Sequence, residues 1–233
     1  MSLENLYTPK QIEVLKTVRS RPWHILINHG AVRTGKTVLD NDLFLMALMR
    51  VRKLADLDGE REPKYILAGV SSKTITNNVL SELRNRYGLN FKFDRQGDFT
   101  LFGVKVVLAY TGSISGLGRI RGMTSYGAYV NEASLAVKEV FAEIVNRCSK
   151  PNAQIICDTN PDSPEHWLKK DYIDKAGTEK GKDILEFKFE LDDNTFLPDD
   201  YREHIKNDTP SGMLYDRNIN GLWVAGEGMV SGL

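Results

Sequence analysis

Residues 30–37 read Gly-Ala-Val-Arg-Thr-Gly-Lys-Thr, which has the spacing G-x-x-x-x-G-K-[ST]. Two glycines five apart let the backbone curl so that successive amide N–H groups face one anion. Lys36 adds a point charge for a terminal phosphate, and the Thr37 hydroxyl is suited to ligate Mg²⁺. All eight residues (Gly30, Ala31, Val32, Arg33, Thr34, Gly35, Lys36 and Thr37) are therefore candidate contacts for a nucleoside triphosphate such as ATP. Arg33 sits inside the loop and is a candidate to sense the γ-phosphate. A loop of this kind needs a polar partner at a nearby strand end, to hold the metal or activate water. Tyr126-Gly-Ala-Tyr-Val-Asn131-Glu132 has that form, an apolar run ending in two polar residues. Glu132 is the candidate general base. Asn131, where an aspartate is usual, is the candidate metal residue with Thr37, and as an amide it brings no charge.

Three further groups could serve the same chemistry. Asp158-Thr159-Asn160-Pro161 follows another apolar run and would set Thr159 or Asn160 against the γ-phosphate edge. Gln11 could offer its amide to an adenine edge as both donor and acceptor. Arg119 and Arg121 lie in a segment rich in Gly and Ser, and either could act as a phosphate-stabilising arginine in a neighbouring subunit.

The elements needed to position these residues are legible from periodicity. Residues 23–28 read as a buried strand and 38–52 as a helix, which puts the loop at a helix N-terminus where an anion is favoured. Thr8-Pro9 opens a helix reaching about residue 19. Strands are expected at 65–70, 99–103, 104–110, 126–130, 153–157 and 185–191. Helices are expected at 72–86 and 137–148, and from Pro198 onward. The stretch 111–122 reads as a mobile loop. Alternation of strands and helices indicates an α/β fold with a mainly parallel sheet covered by helices on both faces.

The chain has 233 residues and equal numbers of basic and acidic side chains, 31 each, so its net formal charge is zero. That excludes a strongly basic coat for nucleic acid, and any DNA contact must be local or shared among subunits. Cys148 and Cys157 lack metal-ligand spacing and read as reduced thiols of an intracellular protein. No stretch has membrane-spanning length, and no signal peptide is visible, so a soluble cytoplasmic protein without a membrane partner is expected.

Taken in order, Thr8-Pro-Lys-Gln11, GAVRTGKT at 30–37, YGAYVNEAS at 126–134 and DTNP at 158–161 resemble the N-terminal ATPase domain of the large terminase subunit of tailed bacteriophages. The segment Gly221-Leu-Trp-Val-Ala-Gly-Glu-Gly228 adds to the likeness. The resemblance implies a RecA/ASCE-like core over residues 1–182 and a small lid-like subdomain over 183–233, leading toward a nuclease domain. It implies ATP and Mg²⁺ as ligands, Glu132 as the residue that activates water, Arg33 acting in cis, and Thr159 with Asn160 coupling hydrolysis to movement. Its implied partners are double-stranded DNA, a portal protein and a small terminase subunit. The implied assembly is a homo-oligomeric ring at the procapsid portal in the host cytoplasm, with the isolated chain possible as a monomer. The sequence ends where the nuclease would begin, so ATP hydrolysis without DNA cleavage is expected.

Other classes compete. A helicase-like ATPase shares these motifs but needs a second RecA-like domain for its arginine. A P-loop kinase would need an Arg-rich lid and would be harmed by a water-activating glutamate. A non-hydrolysing nucleotide switch would read Asn131 as a lost metal site, which the presence of Lys36, Thr37 and Glu132 argues against.

Overall fold

The computed structural model describes residues 2–225. The closing Glu227 and Gly228 of the C-terminal motif lie outside the described residues. Seven strands form one sheet in the order β3-β4-β2-β5-β6-β1-β7, with β1 Ile25–Gly30, β2 Lys64–Gly69, β3 Phe99–Leu101, β4 Val104–Tyr110, β5 Gly127–Val130, β6 Gln154–Thr159 and β7 Ile184–Phe189. β2 runs parallel to both β4 and β5, and β5 runs parallel to β6. Only the short edge pair β3–β4 among these is antiparallel. The α/β, mainly parallel architecture expected from the sequence is the one observed. Its strands are buried on both faces: all six residues of β1, including Asn28 and His29, and all four of β5 are buried.

The helices are α1 Pro9–Ser20, α2 Lys36–Leu57, α3 Ser72–Ile75, α4 Ser81–Tyr87, α5 Leu117–Ile120, α6 Lys138–Arg147, α7 Trp167–Asp171, α8 Asp199–Asp208 and α9 Met213–Asn218. α1 starts where Thr8 and Gln11 form a reciprocal capping box with Pro9 at the first helical position. Between α3 and α4 the chain takes one π-helical segment, Thr76–Leu80, so the helix expected at 72–86 is continuous but locally widened.

By internal contacts the chain divides into two units, one of residues 1–23, 27–36 and 159–233 and the other of 24–26 and 37–158. The boundary expected at 182/183 falls inside the first of these. The core of the second unit is built on Phe44 of α2, whose ring lies 5.6 Å from Tyr65 and 5.9 Å from Tyr129. In the first unit, Ala31 of the phosphate loop packs with Leu191 and Ile219, and Leu197, Ile205 and Tyr215 close over them. The two cysteines are free and buried. Burial pushes the Cys148 thiol up to about 12 and Cys157 upward as well, so neither is a reactive thiolate at neutral pH.

The segment 111–122 differs from expectation. It contains a 3-10 turn at Ile114–Gly116 followed by α5, and Gly116 and Ile120 are fully packed. A Cβ on Gly116 would stand 1.9 Å from the Tyr110 carbonyl, so the glycine allows a close approach that looked like flexibility in the sequence. Replacing Ile120 by Ala should therefore cost about 2–4 kcal/mol of stability, as for a packed core residue. Ile114→Ala, at a position 55% exposed, should change it by less than about 0.5 kcal/mol. Denaturant unfolding of the two variants checks this, and equal small effects would restore the mobile-loop reading.

Candidate functional site: a phosphate loop and a carboxylate hub

The loop between β1 and α2 is shaped by three residues with positive φ: Gly30 at 133°, Arg33 at 58° and Gly35 at 83°. A Cβ on Gly30 would lie 2.0 Å from the Phe189 carbonyl, and one on Gly221 would lie 2.5 Å from the same oxygen. Both glycines are thus required for β7 and the C-terminal segment to approach the loop. The Ala31 amide donates to Phe189 O at 2.8 Å and the Val32 amide to Asn218 O at 3.2 Å. The Ala31 and Val32 amides are therefore bound within the fold, and the loop runs on into the N-terminus of the 22-residue α2, where an anion is favoured.

Lys36 is 5% exposed and its Nζ donates to the carbonyls of Gly30 (3.0 Å) and Ala31, and to Asn160 Oδ1 at 3.2 Å. This links the expected coupling residue Asn160 to the phosphate lysine. Thr159 is buried at the end of β6, and its hydroxyl donates to the Asn160 carbonyl at 3.2 Å.

Gln11 bonds both its own helix cap and the phosphate loop. Its Oε1 accepts from the Thr8 amide at 2.9 Å, and its Nε2 donates to the Gly35 carbonyl at 2.9 Å. Gln11 pins the phosphate loop to α1, and its expected part in reading adenine is tested by the substitution below. Arg33 looks elsewhere: its guanidinium bonds the Tyr201 hydroxyl and lies 5.5 Å from that ring's centroid, while its carbonyl accepts from Asn194 Nδ2 at 2.7 Å. In this conformation Arg33 joins the loop to α8 and the turn before it.

Thr37, the residue after Lys36, donates its hydroxyl to Asp158 Oδ2 at 2.7 Å. Asp158 is 2% exposed and collects three other donors: Asn131 Nδ2 at 2.9 and 3.0 Å to its two oxygens, the Glu132 amide at 2.9 Å, and the Tyr129 hydroxyl at 3.4 Å. The parallel pairing of Val130 with Cys157 sets the next residues, Asn131 and Asp158, side by side. Asn131 in turn accepts through Oδ1 from Asn78 Nδ2 at 2.9 Å, and the Asn78 carbonyl accepts from Asn41 at 3.0 Å. The π-helical turn brings Asn78 into this chain of amides. Asp158 is a site residue that the DTNP run does not single out beside Thr159 and Asn160. Its signal was a carboxylate at the end of a buried strand.

Glu132 is half-buried in the left-handed region, φ 56° and ψ 51°, directly after β5. Burial pushes its carboxyl above the usual glutamate range, and the nearby Asp158 charge pushes in the same direction. That suits a group that must accept a proton. Of the two candidate trans arginines, Arg119 is committed inside its own subunit. It bonds Asp98 Oδ1 at 2.5 Å and the carbonyls of Leu108 (3.2 Å) and Gln96 (2.7 Å), balancing a buried aspartate. Arg121 is exposed.

A phosphate loop on β1, with one strand between it and the strand ending in Glu132, defines a RecA-like P-loop nucleotide-binding fold. A family model described as phage terminase large subunit matches residues 116–213. The large terminase of a thermophilic bacteriophage in complex with ADP is 26% identical, with a TM-score of 0.75 over 94% of this chain and 54% of that one. The same protein in complex with ATP-γ-S gives a TM-score of 0.72 at the same identity, over 94% of this chain and 53% of that one. The large terminase ATPase domain of Thermus phage P74-26 shares the fold at 9% identity, with a TM-score of 0.60 and 92% and 93% coverage. No curated protein gives a significant match. The chain is thus similar to the large terminase subunits of bacteriophages. It spans about half the length of the thermophilic-phage protein.

If Gln11 positions the loop and does not read the base, Gln11→Ala should weaken binding of ATP, GTP and CTP by a common factor, about tenfold for the loss of one loop-anchoring bond. Titration of the three nucleotides checks this, and a selective loss of ATP would establish the adenine role.

Proposed function

We propose that this chain hydrolyses ATP and that hydrolysis drives double-stranded DNA into a procapsid. The observation that carries the reading is continuity. Lys36 and Thr37 are consecutive in the loop, Thr37 bonds Asp158, and Asp158 bonds the backbone of Glu132. Phosphate grip and proton acceptor are thereby connected through one buried carboxylate. The ADP and ATP-γ-S complexes of the thermophilic-phage terminase support nucleotide as the ligand.

In the reaction, Lys36 and the amides at the start of α2 hold the β- and γ-phosphates, exchanging the loop carbonyls for phosphate oxygens. A water oxygen bonds to the γ-phosphorus as the bond to the β–γ bridging oxygen breaks, and Glu132 takes the water's proton. The residues fit Mg²⁺: a threonine hydroxyl lies 2.7 Å from a buried carboxylate, both hard oxygen donors. Among the described residues no three His, Cys, Asp or Glu side chains gather to hold a metal alone, which suits an ion that arrives with the phosphates. Thr37 and a strand-end polar group would hold the ion, which would supply positive charge to offset that of the phosphates. Arg33 serves as γ-phosphate sensor once it leaves Tyr201, and Asn160 couples the site to movement through Lys36.

As part of a longer subunit, the chain would act in a ring at the portal, recruited with DNA by a small terminase subunit in the host cytoplasm. Zero net charge supports a DNA surface shared by several subunits. The exposed Arg121 is the better candidate to reach a neighbour's phosphates, since Arg119 holds Asp98. No helix among the described residues is long and apolar enough to cross a membrane.

Glu132→Gln should retain nucleotide binding and lower turnover by about 10²–10⁴-fold. In the parent chain, turnover should fall as pH drops through the raised Glu132 value, so the acid limb lies above the ordinary glutamate range. Steady-state phosphate release across pH, with binding measured in parallel, tests both. Undiminished turnover in the variant would remove Glu132 as the base.

A further inference from the structure

Asn131 stands at the end of β5, where the metal-facing carboxylate of such a site is expected, and its amide cannot fill that place as it is held. The carboxylate of Asp158 only accepts, so the Asn131 atom lying 2.9 and 3.0 Å from its two oxygens must be the NH₂ group. The Asn131 carbonyl oxygen is thereby turned to Asn78, which donates to it at 2.9 Å. The polarity is fixed on the side of Asp158, whose carboxylate can only accept. Flipping it would set carbonyl against carboxylate.

The charge missing from β5 is present one strand over. Asp158 is level with Asn131 because Val130 pairs with Cys157 in parallel register, so the two side chains leave the sheet together. It is Asp158 that receives the Thr37 hydroxyl proton, at 2.7 Å. A hydroxyl that donates to Asp158 keeps its lone pairs turned outward, in the orientation a cation needs from it. Four donor groups fix the position of the carboxylate, so no side-chain freedom is lost when it meets an ion.

We infer that Asp158, on the strand beside the usual one, is the residue that presents carboxylate charge to the Mg²⁺ of the bound nucleotide, and that Asn131 is its positioning clamp. This rests on the nucleotide-hydrolysis reading above. It places the metal-directed acid and the proton-accepting Glu132 on different strands, with Asp158 holding the Glu132 amide between them.

The test measures binding, not turnover. ADP affinity of the chain is titrated with and without Mg²⁺, and the ratio is the metal enhancement. Asp158→Asn should keep metal-free ADP binding but lose about tenfold or more of that enhancement, as metal-site partners commonly cost. The exchange Asn131→Asp with Asp158→Asn, which retains one carboxylate and one amide, should recover most of it. Full enhancement in Asp158→Asn overturns the assignment. Melting curves establish that each variant is folded. Should Asp158→Asn not fold, anomalous scattering from Mn²⁺ in crystals of the unaltered chain with ADP decides the matter. The ion is expected bonded to the Asp158 carboxylate directly or through one water, and an ion linked to Asn131 or Glu132 and not to Asp158 refutes the proposal. Absence of any ADP binding, with or without metal, would defeat the hydrolysis reading itself, an outcome distinct from binding that is insensitive to Asp158.

Discussion

The buried carboxylate of Asp158 is the interaction on which the site depends. Burying such a group costs several kcal/mol unless its lone pairs are met. Here they are met by Thr37 at the start of α2, Asn131 and the Glu132 amide at the end of β5, and Tyr129 within it. Charge-assisted bonds of this kind are among the stronger ones in proteins. They fix three pieces of chain, remote in sequence, to one point. They also account for Glu132, whose left-handed backbone would cost on the order of 1 kcal/mol in a non-glycine residue. That conformation turns its amide onto Asp158 and offsets the strain.

The loop has its own constraint, which is steric. Gly30 and Gly221 each leave room for the Phe189 carbonyl, and no side chain fits at either. Through this contact the segment after β7 forms part of the phosphate loop's support, with Ala31, Leu191 and Ile219 as its apolar centre. His29, just before the loop, is fixed similarly. It accepts from Trp223 Nε1 at 3.1 Å through Nδ1 and therefore donates through Nε2 to Glu186 at 2.8 Å. The C-terminal Gly-x-Trp-Val motif is thus explained by contacts with β1 and the loop.

Much of this was legible in the sequence, because strand and helix periods and the phosphate-loop spacing are local signals. The six residues of β1, the loop and α2 fall within a few residues of where periodicity puts them. Lateral relations between strands were not legible. Nothing local says that Asp158 ends level with Asn131, so the DTNP run reads as a polar turn carrying Thr159 and Asn160. The same limit applies to Gln11, a helix-start residue by its spacing, whose bond to Gly35 spans 24 positions. At 111–122, glycine and serine suggested mobility, yet Gly116 marks close packing against Tyr110. Composition cannot separate those two uses of glycine.

Lys36 and its loop are expected to grip the phosphates of a nucleotide, and the melting temperature measures that grip directly. A ligand that binds only the folded chain raises that temperature with concentration. Mg²⁺·ATP-γ-S should raise it progressively for the chain, and for Lys36→Ala the curve should stay flat over the same range. An equal rise in both, or none in the parent chain, would contradict the account.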